Sequence, residues 1–531
     1  MVDYSKSIYD YLRASYDGLG KKSFVEFYGK KTSFERLFDK IDAVAENLAR
    51  FGVGKGTVVT VSLPNCPQFI ILTYALAKLG AIGSFVSPLM SQPALEKVLS
   101  KTGSKILVIS TLCPHKVENV SVIRVHFNAF MPALKKAVLA IKKHYAEGFS
   151  FESLFVKPQP PFIAETAVDP SAPAFYLHSG GTTGEPKTVI LSQRAVNYCA
   201  ATISANLAEN DLHPTDEINC AFILPLFYGY GLGVMHTQMT NGYNHFVRAK
   251  FNPAEFAEMF AKNNVNLMFG IPTMYRKMLQ TGAWTEQNVK DLRLCYIGGE
   301  RLSKELAEEF AAAFPHGLLV EGYGMTEAVT AFLAGSKHGV KENSCGRVNA
   351  MIKVETFDEN SKPLPRGREG ELCVCTQAVM NGYLQDEETT RNTLFDYKGE
   401  RWLRTGDYGK VDEEGYVFLM QRIKNIIKRK GINIFPLQVE LCVMELPFIK
   451  EVKVFGYKDS EEVERIVCAV TVTENAPQKV AEAVKSHVKN TISIISTPEY
   501  VLVKDALPTT NVGKVDVKAL TQDLLASGQL K

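Results

Sequence analysis

From residue 35 to about residue 335 the chain alternates helix-like stretches with short apolar runs, and no other feature constrains the fold as much. Thr57–Leu63, Lys105–Ser110, Ala221–Pro225, Leu267–Gly270 and Leu292–Ile297 read as strands, and Pro67–Leu79 as a helix. This alternation predicts parallel sheets covered by helices. Runs that are nearly continuous in apolar residues suit strands buried on both faces. Between about 340 and 420 the texture changes. Ile352–Phe357, Gly370–Thr376 and Tyr416–Met420 are β-rich and separated by turn signals, which predicts a small antiparallel sheet or barrel. Beyond 422 the chain turns basic (Arg422, Lys424, Lys428, Arg429, Lys430) and mixes strand with helix, so a domain boundary is expected near 421–424.

Composition narrows the function. Lysine and arginine number 60 against 57 acids, a net charge of +3. A balance so near neutral gives no field for long nucleic acid, so no nucleic-acid partner is expected. The ten cysteines form no Cys-x-x-Cys and no Cys/His cluster at zinc spacing, and are expected as buried thiols in a reducing compartment. The apolar stretch Phe69–Met90 is broken by Lys78, Gly80 and Gly83, and reads as a buried helix and a strand rather than a transmembrane segment. Neither end carries a targeting or lipidation pattern, so a cytoplasmic protein is expected. Ala133–His144 reads as a basic amphipathic helix on the surface, with weak peripheral membrane contact as the alternative.

The most informative segment is Ser179-Gly180-Gly181-Thr182-Thr183-Gly184-Glu185-Pro186-Lys187, between the apolar runs Ala174–Leu177 and Val189–Leu191. Its glycines let backbone N–H groups approach a polyanion, its hydroxyls add donors, and Lys187 adds a cation. It is not a Walker A loop, because Glu185 follows Gly184 and Thr188 follows Lys187. Further along stand Gly298-Gly299-Glu300-Arg301-Leu302, Tyr323-Gly324-Met325-Thr326-Glu327, Thr405-Gly406-Asp407 with Arg422, and Leu507–Lys514. An aromatic can stack on a base, a hydroxyl can donate to phosphate, and a carboxylate can hold Mg²⁺ or a ribose diol.

These five segments, in this order, resemble the signatures of the adenylate-forming enzymes: acyl-CoA synthetases, peptide-synthetase adenylation domains and luciferase. The resemblance spans about residues 35 to 520. It implies an α/β fold with a large N-terminal domain, 1–421, of two doubly wound, parallel-type sheets with a β-barrel-like subdomain at about 340–421. A smaller, mobile α+β domain would follow at 422–531. The implied activity is formation of acyl-AMP and pyrophosphate from a carboxylate and ATP, then transfer to CoA, with Mg²⁺ as the metal.

The resemblance also implies residue roles. Ser179, Gly180, Gly181, Thr182, Thr183, Gly184 and Lys187 would hold phosphates. Tyr323, Gly299 and Glu300 would face adenine and Gly324 would belong to the same ATP/AMP-binding set, with Thr326 on the α-phosphate and Glu327 on Mg²⁺. Asp407 and Arg422 would serve the ribose, and Lys514 would bridge the substrate carboxylate and the α-phosphate. Lys424 falls at the hinge, and Lys430 and Gly431 at the CoA tunnel. Tyr228, Gly229, Gly298, Gly322 and Met325 would line the acyl pocket.

The chain departs from the family pattern in several places. Tyr228 stands where many acyl-CoA synthetases have histidine, Gln193 where histidine is frequent, Gln421 where aspartate is common, and Val517 where arginine is frequent. No acid lies between Ala221 and Gly233, which disfavours an amino acid substrate. A fatty acid is the first expectation. An aryl acid, or loading of an acyl carrier protein instead of CoA, is the alternative.

Overall fold

The computed structural model describes residues 5–19, 23–140, 144–145, 147–158, 168–178, 187–214, 216–335, 341, 343–429, 432–459, 463–509 and 515–527. The chain forms two compact units. One comprises Met1–Val354, Val374–Leu403 and Glu414–Tyr416; the other comprises Glu355–Cys373, Arg404–Glu413 and Val417–Lys531.

The first unit holds two eight-stranded sheets. In one, Leu318–Gly324, Leu294–Ile297, Leu267–Gly270, Asn219–Phe222, Asn244–Val247 and Phe24–Phe27 lie side by side and parallel. The chain runs from Asn219–Phe222 to Asn244–Val247 on one side, then crosses to Leu267–Gly270 on the other. The strand order therefore reverses at Asn219–Phe222, and such reversals open a crevice at the strands' carboxyl ends. The second sheet runs Gly382–Tyr383, Thr188–Ser192, Pro173–His178, Ile82–Phe85, Val58–Ser62, Ile106–Ser110, Ser121–Val125 and Phe149–Ser150. The expected parallel sheets are thus present. Val58–Ser62 is one residue shorter at each end than its apolar run and Ile106–Ser110 one residue shorter at its start, and two strands depart further. Ala221–Pro225 is strand only to Phe222, because the backbone of 223–226 bonds a side chain (Asn65) instead of a ladder. The run Leu292–Ile297 begins as strand at Leu294, because Leu292 N closes a turn on Val289 O.

Two helices are apolar almost all round, Pro67–Lys78 and Gly229–Thr240, and a helix of that kind must be buried on every side. They meet through polar groups. Tyr74 OH lies 3.1 Å from His236 Nδ1, and His236 Nε2 lies 2.9 Å from Asn197 Oδ1. Burial pushes this imidazole down to about 3, so it is neutral and serves as a hydrogen-bonding spacer between the helices.

The basic helix is described over Ala133–Ala140, with the end of the expected Ala133–His144 outside the described residues. Its Lys135 faces Glu255 at 3.5 Å and stands over the Tyr28 ring. Among the described residues no helix is long and apolar enough to cross a membrane. All ten cysteines are free, and most are buried.

The second unit is α+β. Ile449–Lys458 and Glu464–Val472 pair antiparallel, and Tyr500–Val503 joins parallel to the latter. Pro436–Met444 and Val480–Thr491 cover the sheet, and Ile466, Cys468 and Val470 pack with Val439, Val443, Val484 and Val488.

Candidate active site

Three expected segments follow parallel strands of one sheet, so the topology brings them to one edge. Residues 225–231 follow Asn219–Phe222, 298–302 follow Leu294–Ile297, and 325–329 follow Leu318–Gly324. Tyr323 is buried and Gly322 and Gly324 half-buried within the last of these strands, while Gly299 and Glu300 are exposed beyond Ile297. Leu302 N donates to Glu321 Oε2 at 3.3 Å, which fastens the Gly298–Leu302 turn to its neighbouring strand. Burial pushes the Glu321 carboxyl up, although Leu302 N and Arg301 oppose the shift.

After Gly324 the chain makes a short 3₁₀ turn, Thr326–Ala328, with Met325 half-buried before it. Val329 then adopts φ +67°, a region that β-branched residues avoid, and Thr330 N bonds Ala328 O across it at 2.8 Å. The strained turn is pinned by the backbone of Gly229: a Cβ there would stand 2.0 Å from Val329 O. Gly298 meets a similar constraint, since a Cβ would stand 3.0 Å from the ring of Tyr230. Tyr230 packs edge-on to Phe269, whose ring stacks on Tyr296 with centroids 4.7 Å apart. Tyr228 is exposed and caps the helix Gly229–Thr240 without a side-chain bond.

Ser179, Gly180, Gly181, Thr182, Thr183 and Gly184 lie outside the described residues. The loop's flanks are defined. Pro173–His178 and Thr188–Ser192 pair antiparallel, and His178 braces them, with Nδ1 3.1 Å from Thr188 Oγ1 and Nε2 3.0 Å from Ser84 Oγ. Burial lowers its pKa to about 4.

One connection joins this loop's exit to the turn at 326–328. Lys187 Nζ stands 5.0 Å over the ring of Tyr383, and Tyr383 OH donates to Glu327 Oε1 at 2.8 Å. Met380 N donates to Glu327 O, and Asn381 N to Ile190 O, each at 2.8 Å. Burial first, and the Glu327 charge after it, push the Tyr383 hydroxyl up, so it stays a donor. Tyr383 is absent from the sequence-level candidates. Its one local signal is the glycine before it, Gly382, at φ +149°. Asn65 was missed too: its amide donates to Ile223 O and Leu224 O, and its carbonyl accepts from Leu226 N.

Glu327 suits a hard cation. Its carboxylate is half-buried, with Oε1 held by Tyr383, which orients the group.

In the second unit Asp407 and Arg422 are directly cross-strand, and Arg422 Nε lies 2.8 Å from Asp407 Oδ1. Asp407 is buried and Arg422 exposed; the guanidinium also donates to Thr405 O at 3.0 Å. Lys424 is exposed in the short turn Ile423–Asn425. Lys430 and Gly431 lie outside the described residues, between the paired strands Ile427–Arg429 and Ile432–Ile434. Arg429 donates to Ile495 O and Thr497 O and pairs with Glu499, which anchors this hairpin on the unit's own body. Lys514 also lies outside the described residues, flanked by a bridge between Thr509 and Val515.

The profile of the AMP-binding enzyme family matches residues 13–384, and that of the AMP-binding enzyme C-terminal domain matches 438–514. The chain belongs to this family of adenylate-forming enzymes and is an AMP-forming acid–thiol ligase. It is 28% identical over 507 residues to 4-coumarate–CoA ligase 3 of Oryza sativa subsp. japonica, covering 94% of this chain and 88% of that protein. It is 28% identical over 492 residues to 4-coumarate–CoA ligase 1 of Solanum tuberosum, covering 91% and 87%. The fold is similar to that of ATP-bound MatB from Rhodopseudomonas palustris, with TM-score 0.81, 22% identity and coverage of 98% and 99%. It is also similar to a benzoate CoA ligase from Burkholderia xenovorans LB400, with TM-score 0.79, 20% identity and coverage of 97% and 99%.

Proposed function

We propose that this ligase activates an apolar carboxylic acid with ATP and passes the acyl group to the thiol of CoA. The observation that carries the reading is the connection Lys187–Tyr383–Glu327, which ties the end of a phosphate-type loop to an oriented carboxylate at the edge of a parallel sheet. A carboxylate oxygen attacks the α-phosphorus, the bond to pyrophosphate breaks, and acyl-AMP forms. The thiol then displaces AMP and yields a thioester. Both nucleophiles are intrinsically competent, so the chain's task is alignment and charge stabilisation. Mg²⁺, held by Glu327, supplies positive charge to the phosphates when bound. Ser179–Gly184 and Lys187 cradle the phosphates, Thr326 donates to the α-phosphate, Tyr323, Gly299 and Glu300 serve the adenine, and Gly324 belongs to the same nucleotide site. Asp407 and Arg422 serve the ribose. Lys514 aligns carboxylate and α-phosphate in the first half-reaction. The division into 1–421 and a mobile 422–531 turning at Lys424, with Lys430 and Gly431 along the pantetheine path, belongs to the same proposal, as does a cytoplasmic setting.

For the acid, Tyr228, Gly229, Gly298, Gly322 and Met325 form the pocket. The Tyr230–Phe269–Tyr296 wall against Gly298 favours a flat aryl acid over a fatty acid, reversing the order expected from sequence. The names of the curated relatives agree with an aryl substrate. The test is pyrophosphate release from MgATP across aryl, fatty and short acids, with and without CoA. CoA-stimulated release and a thioester with aryl acids are expected. A preference for fatty acids overturns the substrate reading, and release without CoA stimulation favours a carrier-protein acceptor.

A further inference from the structure

One cluster away from the candidate active site gathers three different metal-ligand chemistries. In the second unit the helices Pro436–Met444 and Val480–Thr491 pack together, and at their junction stand Cys442, Glu445 and His487. A ligand atom from each (thiol sulfur, carboxylate oxygen and imidazole nitrogen) lies within 4.8 Å of the other two. Cys442 and Glu445 are three residues apart and so share one helix face. His487 comes from the other helix, and its Nε2 is 2.9 Å from Glu445 Oε2. The thiol is buried and the carboxylate exposed, so the cluster opens to solvent on one side. Glu445 also ends the helix Pro436–Met444, where unpaired carbonyls concentrate negative potential.

We propose that Cys442, Glu445 and His487 form a binding site for a borderline-soft divalent cation, zinc above all, with water completing a four-coordinate shell. A sulfur, nitrogen and oxygen donor set suits zinc and its late first-row neighbours and is foreign to Mg²⁺. Tetrahedral zinc bonds of about 2.0–2.3 Å set ligand atoms about 3.3–3.7 Å apart, so the imidazole and carboxylate atoms, now 2.9 Å apart, would open slightly and the thiol, within 4.8 Å of them, would draw in. On binding, the Cys442 sulfur–hydrogen bond gives way to a sulfur–metal bond and the proton leaves to solvent. His487 coordinates as neutral imidazole, and Glu445 exchanges its hydrogen bond for a metal bond. Because the thiol must give up its proton to bind, affinity rises with pH. The site would clip the two helices together. It escaped the sequence patterns because its ligands are split between two helices.

The test uses the full-length protein, stripped with chelator and titrated with Co²⁺ as a spectroscopic probe. A sulfur-to-cobalt charge-transfer band saturating at one equivalent and displaced by Zn²⁺ is expected. Cys442→Ser should abolish it, His487→Gln should weaken Co²⁺ binding at least about tenfold, and both variants should keep Mg²⁺-dependent ligase activity. If Cys442→Ser fails to fold, the partly exposed His487→Gln carries the test. Absence of the band in the unaltered protein overturns the proposal. So does a band that survives Cys442→Ser, because it would come from another of the ten cysteines, or Co²⁺ binding unaffected by His487→Gln.

Discussion

Tyr383 shows how one hydroxyl can organise two functional groups. Its ring receives the Lys187 ammonium and its OH holds Glu327, so the residue fixes a cation and an anion relative to each other. Tyr383→Phe keeps the ring and removes only the donor. A hydrogen bond to a charged group contributes about 1.5–3 kcal/mol, so adenylation at subsaturating MgATP should fall about tenfold or more. ATP–pyrophosphate exchange measures this, and circular dichroism should be unchanged. Tyr383→Leu also removes the ring and should be worse. If Tyr383→Phe exchanges at the normal rate, the hydroxyl has no part in orienting Glu327.

At the level of elements, the turn Thr326–Ala328 keeps its shape because another backbone leans on it. The strain at Val329 persists where the surroundings impose it, and Gly229 is the piece that admits no side chain. Gly229→Ala would push Val329 O and shift Glu327 with it. A displacement near 1 Å costs on the order of 10²-fold, so adenylation should drop about a hundredfold. Gly54→Ala, which meets nothing within 4 Å, is the control and should be neutral. An unaltered rate in Gly229→Ala would mean that the turn yields without consequence. This contact also marks the limit of what the sequence reveals. The parallel sheets were legible because buried strands announce themselves as apolar runs, and Leu267–Gly270 has the bounds the run suggests. The glycines were legible as unusual, but the atoms that forbid a side chain come from distant segments. Asn65 carried no signal and Tyr383 only the glycine before it, since an ordinary polar residue gains its role only from what the fold brings to it. Asp407 and Arg422 were noted by resemblance; antiparallel pairing makes them direct cross-strand partners.

At the level of the whole molecule, two properties follow from buried charge and from divided labour. His236 and His245 are buried, and burial lowers their pKa values to about 3 and about 4. Unfolding returns each to near 6.5, so the unfolded chain binds more protons below that value. Their contribution is therefore complete above about pH 6.5 and is lost as pH falls through about 4 for His245 and about 3 for His236, at up to about 1.4 kcal/mol per pH unit for each histidine. The urea midpoint should be flat between pH 7 and 8 and fall steeply below 6, and His236→Gln should reduce that slope. A midpoint unchanged at pH 5 would mean that these imidazoles protonate without penalty. The second property concerns the two half-reactions. Only the first needs a cation between carboxylate and α-phosphate, because in the second the acyl group is already activated and AMP is the leaving group. If Lys514 is that cation, Lys514→Ala should slow acyl-AMP formation by about 10²–10³, the usual cost of one charge-stabilising donor. The same variant, supplied with preformed acyl-AMP and CoA, should make thioester within a few-fold of the normal rate. Lys424→Pro should give the opposite pattern, because a proline fixes the φ angle that a hinge must change. Equal losses in both half-reactions for Lys514→Ala would remove it from its assigned role, and a Lys424→Pro protein competent in both would mean that the chain does not turn at that residue.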